Sequence, residues 1–136
     1  MEAEAEKLKE AIEAAESLAR CGVPLFHYTD QVSAVLILAS EELFVTPTFR
    51  GGGFTHPSGA YVTLIWPVPP TTKRDLQALY KMGDPNWNVD WFVMLCSNEN
   101  PTFIPSGYPG ELYSPAPPGG AVPVVIYTIG PNMMLP

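Results

Sequence analysis

Residues 25–30 read LFHYTD and residues 59–67 read GAYVTLIWP, two short apolar runs that each carry a polar ring, His27 in the first and Tyr61 in the second. The run from Val23 to Tyr28 has the residue types of a strand. Thr29 or Asp30 then offers an N-cap side chain for a helix through about Ala39, where Val32, Val35, Leu36 and Leu38 predict burial on at least one side. A strand is expected near Leu43 to Val45, followed by a loop from Thr46 to Gly59 in which Gly51, Gly52 and Gly53 leave the backbone free. The second run forms a strand from Ala60 to Trp66, ended by Pro67, Pro69 and Pro70.

Outward from this pair, Leu8, Ile12, Ala15 and Leu18 recur at the spacing of one helical stripe. Residues 1–22 are therefore expected to form an amphipathic helix packed on a domain of residues 23–136, with Gly22 and Pro24 as its stop. Downstream, Thr72 can cap a short helix through Met82 with Leu76, Leu79 and Tyr80 facing inward, and DPNWN at 84–88 reads as a turn. WFVMLC at 91–96 has the make-up of a buried strand, and Glu111 to Ser114 and Val122 to Ile129 suit two more. Helices early and strands late predict an α+β fold on largely antiparallel sheets.

At 136 residues the chain should make one domain, large enough to bury a real core, with one site as the natural expectation. Its net charge of -7, with 14 acidic against 7 scattered basic residues, argues against a surface that tracks nucleic-acid phosphates. Cys21 and Cys96 have no metal-ligand spacing, and two cysteines are no disulfide framework, so the fold is not expected to depend on one; the redox compartment stays open, with reduced thiols favoured. The acidic start lacks an export signal and no stretch reaches about 18 apolar residues, as expected of a soluble chain. The ending TIGPNMMLP, close behind an apolar strand, reads as one domain of a longer protein. Zinc spacing, a nucleophile elbow, a phosphate loop and a dinucleotide fingerprint are all missing.

LFHYTD and GAYVTLIWP resemble the first two signature blocks of the ADP-ribosyltransferase superfamily, in its toxin-type branch with a His-Tyr-Asp signature, whose members read like HYT and then GxYLT. The resemblance spans residues 23 to 130 and rests on the order strand, helix, loop, strand, helix, late strands. It implies a pair of largely antiparallel sheets with flanking helices, and NAD as substrate with no metal. His27 would contact the adenosine-side ribose, with Tyr28 and Thr29 beside it; Tyr61 would stack on nicotinamide, and Gly59 and Thr63 match the family's glycine and hydroxyl. The family's late strand reads like VEID, whereas WFVMLC ends in Cys96. The acid is therefore sought in YPGELYSP, which resembles the block of other branches where a glutamate opens a late strand, and this selects Glu111.

A carboxylate is also wanted on chemical grounds. Cleavage of the nicotinamide–ribose bond develops oxocarbenium character, and an acceptor on the ribose 2-hydroxyl stabilises it. Each residue has a plainer reading as well: a satisfied strand histidine for His27, a core tyrosine for Tyr61, an exposed turn residue for Glu111. His56, beside Pro57, reads as a surface residue, and Trp66, Trp87 and Trp91 as packing. The resemblance implies transfer of ADP-ribose to an acceptor, protein more than nucleic acid, by a toxin or effector domain with an immunity protein or carrier polypeptide as partner. The alternatives are an NAD glycohydrolase, an inactive binding module of the same fold, and a structural domain that makes contacts through its Pro-rich segment 101–123.

Overall fold

WFVMLC forms β6 (Trp91–Cys96), an unbroken apolar run because both its faces are covered. It pairs antiparallel along its whole length with β1 (Pro24–Thr29), from Pro24 opposite Cys96 to Thr29 opposite Trp91. The computed structural model describes residues 2–51, 53–80, 87–100 and 102–136. Around the β1–β6 pair stands a six-stranded sheet in the order β10-β6-β1-β5-β8-β7, with β5 at Gly59–Thr63, β7 at Ile104–Pro105, β8 at Glu111–Pro115 and β10 at Ile126–Pro131. Every neighbour in it is antiparallel.

Alternation along the strands sends side chains to two cores. Leu25, Ala60, Val62, Val93 and Leu95 face one way and meet Ala34 and Ile37 of the helix α2 (Gln31–Ser40). Phe26, Tyr28, Met94 and Cys96 face the other and meet Leu76 of the helix α3 (Lys73–Tyr80), with Val89 and Met134. Asp30 caps α2: its carboxylate accepts from the Ser33 N–H at 2.7 Å and the Ser33 hydroxyl at 3.0 Å, contacts that hold its pKa below the usual carboxylate value. Thr72 caps α3, its Oγ1 accepting from the Asp75 N–H at 3.1 Å. Leu76 is fully buried, but Leu79 is partly exposed; Met82 and the first part of DPNWN lie outside the described residues.

The α+β class and the antiparallel pairing stand, while several local expectations change. The loop expected from Thr46 to Gly59 contains a hairpin, β3 (Phe49–Gly51) and β4 (Phe54–His56), whose turn uses Gly53 at φ 74°, a conformation that favours glycine. The strand expected over Val122 to Ile129 is two: β9 (Ala121–Pro123) pairs with β2 (Glu42–Phe44), and the chain then crosses to pair β10 with β6. Pro123, which has no N–H to donate, ends the first pairing.

The cysteines also depart from expectation, since Cys21 and Cys96 form a disulfide. Seventy-five residues of separation leave no spacing signal, but the β1–β6 register sets Cys96 opposite Pro24, within reach of Cys21. This bond anchors the end of the helix α1 (Glu2–Cys21), helped by Asn98 Nδ2 donating to the Arg20 carbonyl at 2.9 Å and a Ser17–Tyr127 hydroxyl contact of 3.2 Å. The apolar stripe of α1 is not packed on the domain as expected: Leu8 is 63% and Ile12 50% exposed, because these contacts gather at the last turns. Among the described residues no helix is long and apolar enough to cross a membrane.

Closing a loop of 75 residues restricts the unfolded chain by about 4 kcal/mol. Cys21→Ser combined with Cys96→Ser should lower Tm on the order of 10 °C. An unchanged melting curve would show that the bond does not stabilise the fold.

Candidate functional site

The six strands divide into two ladders, β10-β6-β1 and β5-β8-β7, joined by one residue pair, Phe26 opposite Thr63. Beyond that pair β1 and β5 part. The Tyr61 carbonyl, on the diverging part of β5, accepts a hydrogen bond from His27 Nδ1 at 2.9 Å. A carbonyl can only accept, so Nδ1 carries the proton, and the imidazole bridges the two strands where the ladder has stopped. A cavity of about 220 Å³ opens in this split, lined by His27, Tyr28 and Thr29 from β1, Tyr61 and Thr63 from β5, and Glu111 from β8.

Tyr61 and Glu111 share one face of the β5–β8 ladder, which sets Tyr61 opposite Tyr113 and Thr63 opposite Glu111. Tyr113 stacks on the Tyr61 ring, with centroids 5.6 Å apart and planes at 17°, and Phe49 from β3 packs edge-on at 5.7 Å. The Tyr61 hydroxyl donates to the Pro57 carbonyl. Burial, and after it the charge of Glu111, push this phenol well above its ordinary pKa, because both oppose a phenolate. The ring is therefore a neutral wall, fixed at its rim and on one face.

Glu111 is 4% exposed rather than an open turn residue. Its Oε1 accepts from His56 Nδ1 at 2.7 Å and from the Ser106 hydroxyl at 2.8 Å, and neither bond uses Oε2. Ser106 in turn accepts from the Tyr108 N–H at 3.1 Å, which ties the carboxylate to the loop before β8. His56 was expected at the surface, yet it is 1% exposed. The hairpin accounts for this: β4 turns the imidazole inward, parallel to Phe49 at 4.3 Å, with Phe54 and Tyr108 around it at 5.0 and 5.1 Å.

The fold thus brings His27, Tyr28, Thr29, Tyr61, Thr63 and Glu111 to one cavity. Gly59 is not in its lining; a Cβ there would stand 2.5 Å from the Ser114 carbonyl oxygen, so this glycine serves the close approach of β5 to β8. Tyr28 donates its hydroxyl to the Ile65 carbonyl, and Thr63 Oγ1 accepts from the Ile65 N–H at 3.0 Å; both shape the turn after β5. Trp87, expected to serve mainly packing, packs against the second core and also lines the cavity with Phe49 and Thr46. The available signal for His56 was FRGGGFTH, a glycine turn between matched aromatic arms, which is a hairpin pattern. Among the described residues no group of three His, Cys, Asp or Glu side chains is placed to hold a metal ion. Comparison with known protein families, curated proteins and solved structures finds no match to this chain.

The raised phenol gives a signed pH prediction. In the unfolded chain Tyr61 ionises near 10, and in the folded chain only above that, so its stabilisation is intact below pH 10 and is lost as pH climbs through the folded value. Melts at rising alkaline pH should therefore show wild type losing Tm more steeply than Tyr61→Phe. Parallel slopes would refute this.

Proposed function

We propose that the split between the two ladders binds the nicotinamide end of NAD and that the chain transfers ADP-ribose to an acceptor, releasing nicotinamide. The observation that carries this reading is the convergence of His27, Tyr61 and Glu111, far apart in sequence, on one cavity. An antiparallel sheet parted at one residue pair also supports an ADP-ribosyltransferase-like arrangement. At about 220 Å³ the cavity is below the roughly 300–1,000 Å³ of pockets that enclose a whole drug-sized ligand. That size suits nicotinamide and its ribose, with the adenosine-side ribose running outward past the half-buried His27.

In this reading Tyr61, braced by Tyr113, offers its ring to the pyridinium, a cation–π contact worth about 1–2 kcal/mol when desolvated. His27, oriented by its bond to the Tyr61 carbonyl, contacts the adenosine-side ribose. Glu111 accepts the 2-hydroxyl of the nicotinamide ribose. As the C1–nitrogen bond breaks, its electron pair passes to nicotinamide, which leaves neutral. Positive charge grows on the sugar, and the carboxylate stabilises it until the acceptor's lone pair forms the new bond at C1 and its proton is released. The disulfide supports an exported toxin or effector, since such bonds persist in oxidising compartments.

Purified protein should release nicotinamide from NAD. Glu111→Gln should lower kcat about 100- to 1,000-fold while binding NAD with little change, and Tyr61→Ala should raise KM about 10-fold. Wild-type turnover in Glu111→Gln would remove Glu111 from the acid role. Release without transfer to protein would identify an NAD glycohydrolase, and tight NAD binding without release would identify a binding module.

A further inference from the structure

We infer that His56 is a positioning residue for Glu111, acting from behind the cavity and not on the substrate. The inference rests on the NAD reading and extends it to a residue outside the cavity lining. A glutamate side chain has three rotatable bonds, and at the mouth of a cavity an unrestrained carboxylate samples several rotamers. Here Oε1 is held twice, by His56 Nδ1 at 2.7 Å and by Ser106 Oγ at 2.8 Å. A carboxylate only accepts, so Nδ1 is the protonated nitrogen. Two donors on one oxygen set the plane of the group and leave Oε2 as the oxygen for the ribose hydroxyl.

The imidazole is itself confined. Phe49 lies flat against it with planes 2° apart, Phe54 meets it at 81° and Tyr108 at 56°, and only 1% of the residue is exposed. Phe49 also lines the cavity and packs on Tyr61, so the β3–β4 hairpin braces the acid and the aromatic wall together. A side chain used only to fill the core would not need a donor aimed at the carboxylate. The structure supplies both the donor and the box that directs it.

The test compares His56→Asn, whose amide nitrogen can reach the Nδ1 position, with His56→Leu, which keeps volume and removes the donor. With NAD as substrate, His56→Leu should lower kcat for nicotinamide release about 10- to 100-fold, the size of a hydrogen bond lost from a charged group, with KM within about twofold of wild type. His56→Asn should recover most of that loss. Wild-type kcat in a folded His56→Leu, or equal loss in both folded variants, overturns the inference. A second readout needs no turnover: in 15N-edited spectra of the wild type His56 should show a protected proton on Nδ1, absent in Glu111→Leu. A proton found only on Nε2 overturns the inference even if neither variant folds. Wild-type protein that releases no nicotinamide overturns the reaction instead, and the spectrum then decides alone whether His56 orients Glu111.

Discussion

The pairing of Phe26 with Thr63, and its failure to continue, is the constraint on which the site depends. Had β1 and β5 stayed in register, their backbones would lie about 4.8 Å apart with no room for a ligand between them. They part after one pair, and the half-buried carbonyl of Tyr61 is satisfied by an imidazole. A buried backbone acceptor left alone costs about 1–3 kcal/mol, so His27 stabilises the split as well as lining it. The same register carries across to β8, where Thr63 stands opposite Glu111, so one transverse row sets the acid beside the gap.

A second constraint is electrostatic. The chain carries a net charge of -7, and Glu111 is nearly buried, so its carboxylate cannot draw on a cationic surface. Burying it unpaired would be strongly unfavourable. The fold answers with two donors on one oxygen, one from the hairpin that precedes β5 and one from the loop that precedes β8. These segments sit on opposite sides of the β5 strand in sequence, so the acid is held by parts of the chain that become neighbours only on folding. The Glu111 charge also helps to keep Tyr61 neutral, coupling the wall of the cavity to its acid.

Local patterns and tertiary outcome agree best where one face or one cap decides the matter. WFVMLC, the Asp30 cap and the Thr72 cap needed only neighbours within a few residues, and the strand and helices formed where those signals stand. The hairpin Phe49–His56 was legible in part, through its glycines, but its flanking arms are three residues each, too short for a clear period of two. The split of the last expected strand hinges on which partner each half meets, and apolar character alone is the same for both. The helix α1 formed where its stripe predicted one, but Leu8, Ile12 and Leu18 on that stripe are exposed, since the contacts that hold the helix lie at its last turns.

By itself, the amino-acid sequence determined the α+β class, the antiparallel habit and the identity of most strands, because propensity, alternation and capping act over a few residues. It also singled out His27, Tyr61 and Glu111 as residues to watch. Only the tertiary structure decided that these three line one cavity, that Cys21 meets Cys96, and that His56 is buried against Glu111. Those outcomes follow from strand register and from where a ladder stops, quantities set by packing between segments tens of residues apart, on which no local pattern reports.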